Sequence, residues 1–329
     1  MIKQYLQLTR AHTAPLETVP AIMGASIATG SVLSMNVFYW AVFGLLYHLA
    51  GYGINSYLDW AKGYDKKDEN KKHHPLNKGT LSPQSARVFV TGMFLLTVVW
   101  LIFVFTQGSI HSSMMAVLAI CVGIASGLLY NMYGKQTDFK SIPISIAHTT
   151  VFASAYLYSG GPIEPLFWIM CMYVFVWVMY QIAVSGEMKD IMQDESNLLI
   201  ALGSQAGDST IYVSEHAQMM ATAFDFAMFV FGTLAIHSLG GGWMVFSVFV
   251  LLMLLRYLAS NSLMFTGSYN RKKRLRNMSS IEGMSLFGFV VICIPDIGWT
   301  TAAMICTSSL FWLVILNKIE WGTTISPRV

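Results

Sequence analysis

The sequence predicts an all-α fold: a polytopic transmembrane helical bundle of nine or ten helices, one domain over residues 1–329. Three observations carry this. First, 55% of the residues are hydrophobic and only 11% are charged, against about 25% charged in soluble domains; mean hydropathy is +0.55. Second, apolar runs recur along the whole chain at the length, about 20 residues, that carries a helix across the hydrocarbon core. They lie near 16–34, 37–61, 86–106, 112–132, 142–159, 164–186, 217–237, 242–264, 280–295 and 298–317. The penultimate run is short and ends at Pro295, which leaves nine and ten helices both open. Third, lysine and arginine alternate sides, as cytoplasmic loops require. With Lys3 and Arg10 inside, the connections after the second, fourth, sixth and eighth runs are inside too. They hold Lys62 to Arg87, Lys135 and Lys140, Lys189, and the RKKRLR run at 271–276. The opposite connections, TQGSIHSS, YSGGPIEP, HSLGGGW and PDIGW, contain neither residue type.

The first fifteen residues, MIKQYLQLTRAHTAP, contain no apolar stretch followed by a small-residue cleavage site. The first hydrophobic helix is therefore expected to remain in the mature protein. The four cysteines, Cys121, Cys171, Cys293 and Cys306, sit far apart in apolar segments and fit no zinc spacing or disulfide framework. The sequence holds no glycine-rich phosphate loop, no nucleophile elbow and no HExxH. No nucleic-acid partner is expected. The RKKRLR run reads as an orientation signal that also meets anionic headgroups.

Chemistry concentrates in two acidic clusters, both at cytoplasmic helix ends. Asn55 and Asp59 are one helical turn apart on the second helix, and Asp65 follows a bend at Gly63. In the second cluster Glu187, Asp190 and Asp194 fall at i, i+3 and i+7, one face of a continued sixth helix, with Lys189 beside them. Ionisable groups at membrane depth are costly and mark sites. Paired carboxylates can hold Mg2+, which takes oxygen ligands and joins carboxylates to phosphates. Nearby lysines and histidines would complement phosphate charge. The competing reading is two solvated helix ends. His48, His148, Gln181 and Asp225 are further polar residues inside expected spans. His48 could reach the same cavity or simply bond to another helix.

With these motifs the chain resembles the UbiA superfamily of intramembrane prenyltransferases, over most of residues 8–205. Asn55, Asp59 and Asp65 match that family's N-x-x-x-D motif and its following aspartate; Asp190 and Asp194 match its D-x-x-x-D. HHPLNKGTLSP at 73–83, RAHTAP at 10–15, LYNMYGKQTDFK at 129–140 and LLIALG at 198–203 resemble four further family segments. Ser56, His74 and Leu198 depart from the pattern, standing where the family usually has aspartate, arginine and a third acid.

The resemblance implies a central cavity open to the cytoplasmic side and an integral, multi-pass protein with its N-terminus on that side. It implies two Mg2+ ions held by Asn55, Asp59, Asp65, Asp190 and Asp194, with Asp59 and Asp190 central to catalysis. It also implies diphosphate contacts from Lys71, His74, Lys135, Lys140 and Lys189, and a cation-facing ring at Tyr130. The expected partners are a prenyl diphosphate donor, an aromatic quinone-precursor-like or lipid-precursor acceptor, and membrane lipid. Two rivals stand beside transfer: a cyclase using the same ionisation without an acceptor, and a carboxylate-coupled transporter. The transporter predicts midplane charges and internal repeats; the acidic clusters lie at helix ends and no repeat is visible.

Overall fold

The structure, a computed structural model, describes residues 2–67, 69–134, 137–192, 197–207 and 209–324. The expected ligands Asp194 and Lys135 lie outside the described residues.

Every apolar run becomes a helix. After a short amphipathic α1 (Ile2–Thr9) come α2 (Pro15–Thr29), α3 (Met35–Ala61), α4 (Pro83–Gln107), α5 (Ile110–Tyr133) and α6 (Ser141–Tyr158). Next are α7 (Pro165–Asp190), α8 (Glu215–Ser238), α9 (Trp243–Leu263), α10 (Arg271–Ile292) and α11 (Trp299–Trp321). Seven of them, α3, α4, α5, α7, α8, α9 and α11, are long and apolar enough to cross a membrane. The starts are written in the sequence. Ser34, Ser82, Ser109, Ser214 and Asn270 each accept a backbone N–H three residues on, filling donors the helix leaves open. Pro15, Pro83 and Pro165 occupy first-turn positions, where a missing N–H costs nothing.

The helices pack in sequence. α3 lies between α2 and α4, α6 between α2, α5 and α7, α8 against α7, and α9 against α10. α10 also touches α2, which closes the ring. Small residues permit the closest approaches. A Cβ on Gly24 would come within 2.6 Å of the Phe152 carbonyl oxygen on α6, and one on Gly44 within 2.9 Å of Thr18 Cα on α2. One apolar core gathers Phe152, Tyr173, Trp177, Phe249 and Phe289; a second gathers Trp40, Phe43, Val104, Ile120 and Tyr158. The outward faces are equally apolar: Leu95, Val99 and Ile102 on α4, Leu251, Leu254 and Leu258 on α9, and Phe311 and Ile315 on α11 are exposed. Such a belt is a lipid-facing surface.

Three features depart from the sequence reading. The RKKRLR run is not a connection: it forms the first turns of the 22-residue α10, begun by the Asn270 cap. Within it Arg274 is buried and donates to the carbonyls of Leu263 and Phe265, satisfying the end of α9. The fold is also not wholly helical. Gln205–Ala206, Thr210–Tyr212 and Gly267–Ser268 form a three-stranded antiparallel sheet at one end of the bundle. Strands this short leave no periodicity to read. Finally, α7 contains a π-helical segment, Gln181–Gly186, just before its acidic end.

Asp225, unexplained in the sequence, has a partner on the next helix. It forms an ion pair with Arg256, which is fully buried. The Arg256 Nε donates to Ser285 Oγ at 2.8 Å, and its guanidinium carbon lies 4.2 Å from the Tyr180 ring centroid. Tyr180 in turn donates to Ser260 Oγ at 2.5 Å. Four helices, α7 to α10, are tied at this point.

Candidate active site

One polar cavity is enclosed by α2, α3, α5, α6 and α7. From α3 it takes Tyr47, His48, Gly51, Tyr52, Asn55 and Asp59. These residues follow helical spacing, so a single face of α3 forms one wall. From the end of α7 come Ile182, Gly186, Glu187, Lys189 and Asp190. A π-helical segment, Gln181–Gly186, lies immediately before Glu187, and such segments are frequent at functional sites. Tyr130 and Asn131 enter from α5, and Lys140, Ile144 and His148 from the start of α6 and the residue before it. Arg10, Glu17 and Lys62 complete the lining used below.

Asn55 Nδ2 points at Asp59 Oδ2, 3.4 Å away, so its amide oxygen is the atom left for a ligand. Asp59 is buried, at 7% exposure. Asp190 lies on the other helix, 3.6 Å from Lys189 Nζ. Lys140 Nζ pairs with Glu187 Oε1 at 2.6 Å, and Glu187 Oε2 accepts from the Leu198 N–H at 3.0 Å. Glu187 therefore ties α7 to α6 and to the segment after it. Lys62 donates to the carbonyls of Asn131 and Met132 at 3.1 and 2.8 Å.

Of the residues singled out in the sequence, the cavity wall gathers Asn55, Asp59, Tyr130, Lys140, Lys189 and Asp190. It does not include Asp65, Lys71 or His74. Asp65 is buried and pairs with Lys71 at 2.5 Å, while Asn77 Nδ2 bonds the Asp65 and Lys71 carbonyls. His74 is buried too. Burial pushes it down to about 4 against the pull of Asp65, and Arg10 and Lys71 lower it further. At neutral pH it carries no charge for a diphosphate.

A pH dependence follows. The unfolded imidazole binds a proton near pH 6.5 and the folded one only near 4. The native state is then undercut as pH falls from 6.5 through 4, by roughly 3 kcal/mol in total. In detergent, His74→Asn should narrow the loss of thermal stability between pH 7.5 and pH 4.5. An unchanged pH profile in the variant would contradict this.

Oxygen donors from Asn55, Asp59 and Asp190 suit a hard cation such as Mg2+. Among the described residues, no three His, Cys, Asp or Glu side chains converge on one metal position. A cation here would take its remaining ligands from a bound anion, as Mg2+ does with phosphates.

The cavity also contains residues that sequence reasoning missed. Glu17 is 2% exposed and sits between two imidazoles: Oε2 is 2.6 Å from His48 Nδ1, and Oε1 is 3.1 Å from His148 Nδ1. Its signal was a lone acid at the start of an apolar run. Arg10 has a left-handed backbone (φ 47), rare outside glycine and costly unless held. Its carbonyl accepts from Thr13 N and Oγ1 at 2.9 Å and from His48 Nε2 at 3.1 Å. The Arg10 guanidinium lies 5.7 Å from the Tyr52 ring centroid.

A model of the UbiA prenyltransferase family matches residues 18–281. Over 92 residues the chain is 32% identical to the protoheme IX farnesyltransferase of Klebsiella pneumoniae subsp. pneumoniae; the match covers 28% of this chain and 30% of that curated relative's length. Two solved structures share the fold. Digeranylgeranylglyceryl phosphate synthase superimposes with a TM-score of 0.53 at 16% identity, over 97% of this chain and 96% of that one. A UbiA homolog from Archaeoglobus fulgidus bound to GPP and Mg2+ gives a TM-score of 0.55 at 12% identity, over 95% of this chain and 99% of that one.

Proposed function

The chain belongs to the UbiA prenyltransferase family, and from that premise we propose a membrane-embedded, Mg2+-dependent enzyme. It ionises a polyprenyl diphosphate, transfers the prenyl group to an aromatic quinone-precursor-like or lipid-precursor acceptor, and releases diphosphate. The observation that carries this reading is the shared wall: Asn55 and Asp59 from α3 and Asp190 from α7 line one cavity with Arg10, Lys140 and Lys189.

Asn55, Asp59 and Asp190 would hold Mg2+ through oxygen. Asp65 and Asp194 complete the ligand set of the family motif, and Asp65 would have to leave Lys71 to join. When bound, Mg2+ supplies Lewis-acid stabilisation of the departing diphosphate. Arg10, Lys140 and Lys189 bring positive charge to the same anion. Tyr130 faces the developing allylic cation with its ring. Tyr47, Tyr52, Ile144 and Ile182 keep the prenyl end away from water, which would otherwise capture the cation. The positive-inside pattern of the sequence supports a cavity mouth on the cytoplasmic side.

The test is incubation of purified protein with Mg2+ and geranylgeranyl diphosphate, with and without acceptor. Acceptor-dependent formation of a prenylated product supports transfer. A cyclic hydrocarbon formed without acceptor favours the cyclase. No diphosphate release from any donor between dimethylallyl and geranylgeranyl diphosphate would overturn the reading.

A further inference from the structure

Glu17 hydrogen-bonds His48 and lies 3.1 Å from His148, a cluster that joins α2, α3 and α6 and lines the same cavity. None of the three belongs to the motifs of the two acidic clusters. Nor do they form a metal site, since among the described residues no group of this kind converges on one.

Their proton positions follow from their partners. The Arg10 carbonyl can only accept, so the His48 Nε2 facing it at 3.1 Å carries hydrogen. The 2.6 Å contact between His48 Nδ1 and Glu17 Oε2 needs a further proton between those atoms. Glu17 and His48 together are thus an imidazolium–carboxylate pair or its neutral tautomer, with no net charge in either form. The second carboxylate oxygen, Oε1, is 3.1 Å from His148 Nδ1; a lone pair on that nitrogen would face the oxygen's own, so the proton sits on Nδ1. A neutral His148 with its proton on Nδ1 has a free lone pair on Nε2. The ring is 11% exposed and lines the cavity. Its Nδ1 edge faces Glu17, so the Nε2 edge is the one left for a ligand. An acid that fixes the tautomer of an imidazole and leaves its other nitrogen open is the arrangement that lets histidine act as a general base.

We propose that His148 Nε2 is the proton acceptor for the incoming nucleophile, with Glu17 as its positioning residue and His48 holding Glu17. The inference rests on the prenyl-transfer reading and narrows the acceptor to one with a removable proton, a hydroxyl or an aromatic C–H. In the step, the prenyl C1–O bond breaks and its electron pair leaves with diphosphate. C1 bonds to the acceptor oxygen or ring carbon. The proton from that O–H or C–H passes to His148 Nε2, and from there to water after product leaves. The balance is donor plus acceptor giving prenylated acceptor, diphosphate and one proton.

The probes are geranylgeranyl diphosphate with Mg2+ and, in parallel, 4-hydroxybenzoate and geranylgeranylglyceryl phosphate as acceptors. Diphosphate, prenyl alcohol and prenylated acceptor are all quantified. His148→Gln keeps a donor toward Glu17 but has no base. It should shift the ratio of prenylated acceptor to prenyl alcohol by roughly 100-fold or more toward the alcohol. In His148→Ala, added imidazole should restore prenylation in proportion to its free-base concentration, which a packing role would not produce. Wild-type prenylation by His148→Gln overturns the proposal, as does an equal fall of both products. Diphosphate release by the wild-type protein with neither acceptor prenylated also overturns it, and leaves the donor reading standing. Absence of diphosphate release altogether is the separate failure of the transfer reading itself.

Discussion

Asp59→Ala should lower the rate of diphosphate release by roughly 10^3-fold, and Asp190→Ala by a similar factor, with both proteins still folded. Metal charge stabilisation of a leaving group is worth several kcal/mol, and about 4 kcal/mol corresponds to that factor. The two aspartates belong to different helices and line one cavity, so neither substitutes for the other. Both line the cavity, so truncation should leave the bundle intact. The measurement is diphosphate release by detergent-purified variants, with thermal unfolding as the control for folding. Near-normal turnover in either variant would remove that residue from the proposed metal site. Lys189 neighbours Asp190 closely enough that Lys189→Ala is a useful companion, with a smaller loss expected because Arg10 and Lys140 remain.

The second large effect is on stability. Arg256→Ala or Asp225→Ala should cost about 3–5 kcal/mol, because each strands a buried charge without its partner. Arg256 is enclosed by Asp225, Ser285 and Tyr180, contributed by three helices other than its own. The damage should also reach the site. Tyr180 is the residue before the π-helical segment that delivers Glu187, Lys189 and Asp190 to the cavity. The double variant Asp225→Leu with Arg256→Met should regain much of the lost stability, since a packed apolar pair of similar volume often replaces a buried ion pair at little cost. Thermal melting and monodispersity in detergent report both results. A single variant as stable as the parent would show that the pair contributes little.

Much of the bundle and part of the site are legible in the order of residues alone. The apolar runs mark where the helices lie, most of them within a few residues, because lipid forces backbone groups to bond within the helix; α10 is the exception, starting at Arg271 well before its apolar run. Asn55 and Asp59 are readable as one face from their spacing. Asp190 is readable too, although a π-helical segment precedes it, because the spacing that matters, from Glu187 to Asp190, lies beyond that segment. What fails to show are properties of the assembled fold. His74 looks like a cation beside a lysine-rich loop, and burial makes it neutral. The basic run at 271–276 looks like a solvated connection, yet Arg274 is spent on the carbonyls that end α9. Glu17 is a single acid in an apolar helix. Only its meeting with His48 and His148, 31 and 131 positions further along the numbering, gives it meaning.

The clasp between the Gln7–His12 segment and α11 has a consequence for biosynthesis. The Glu320 carboxylate, fully buried on α11, accepts from the His12 backbone N–H and pairs with the His12 ring, and its carbonyl accepts from Gln7. Trp312 of the same helix donates to the Ala11 carbonyl. Arg10, with its left-handed backbone and its carbonyl on His48, lies within that clasped stretch. The ribosome makes this stretch 308 positions before the Glu320 that clasps it. Ribosome-bound chains that have not yet released α11 would carry the aspartates of both clusters without a finished pocket, so the pocket would be completed only after α11 has emerged and packed.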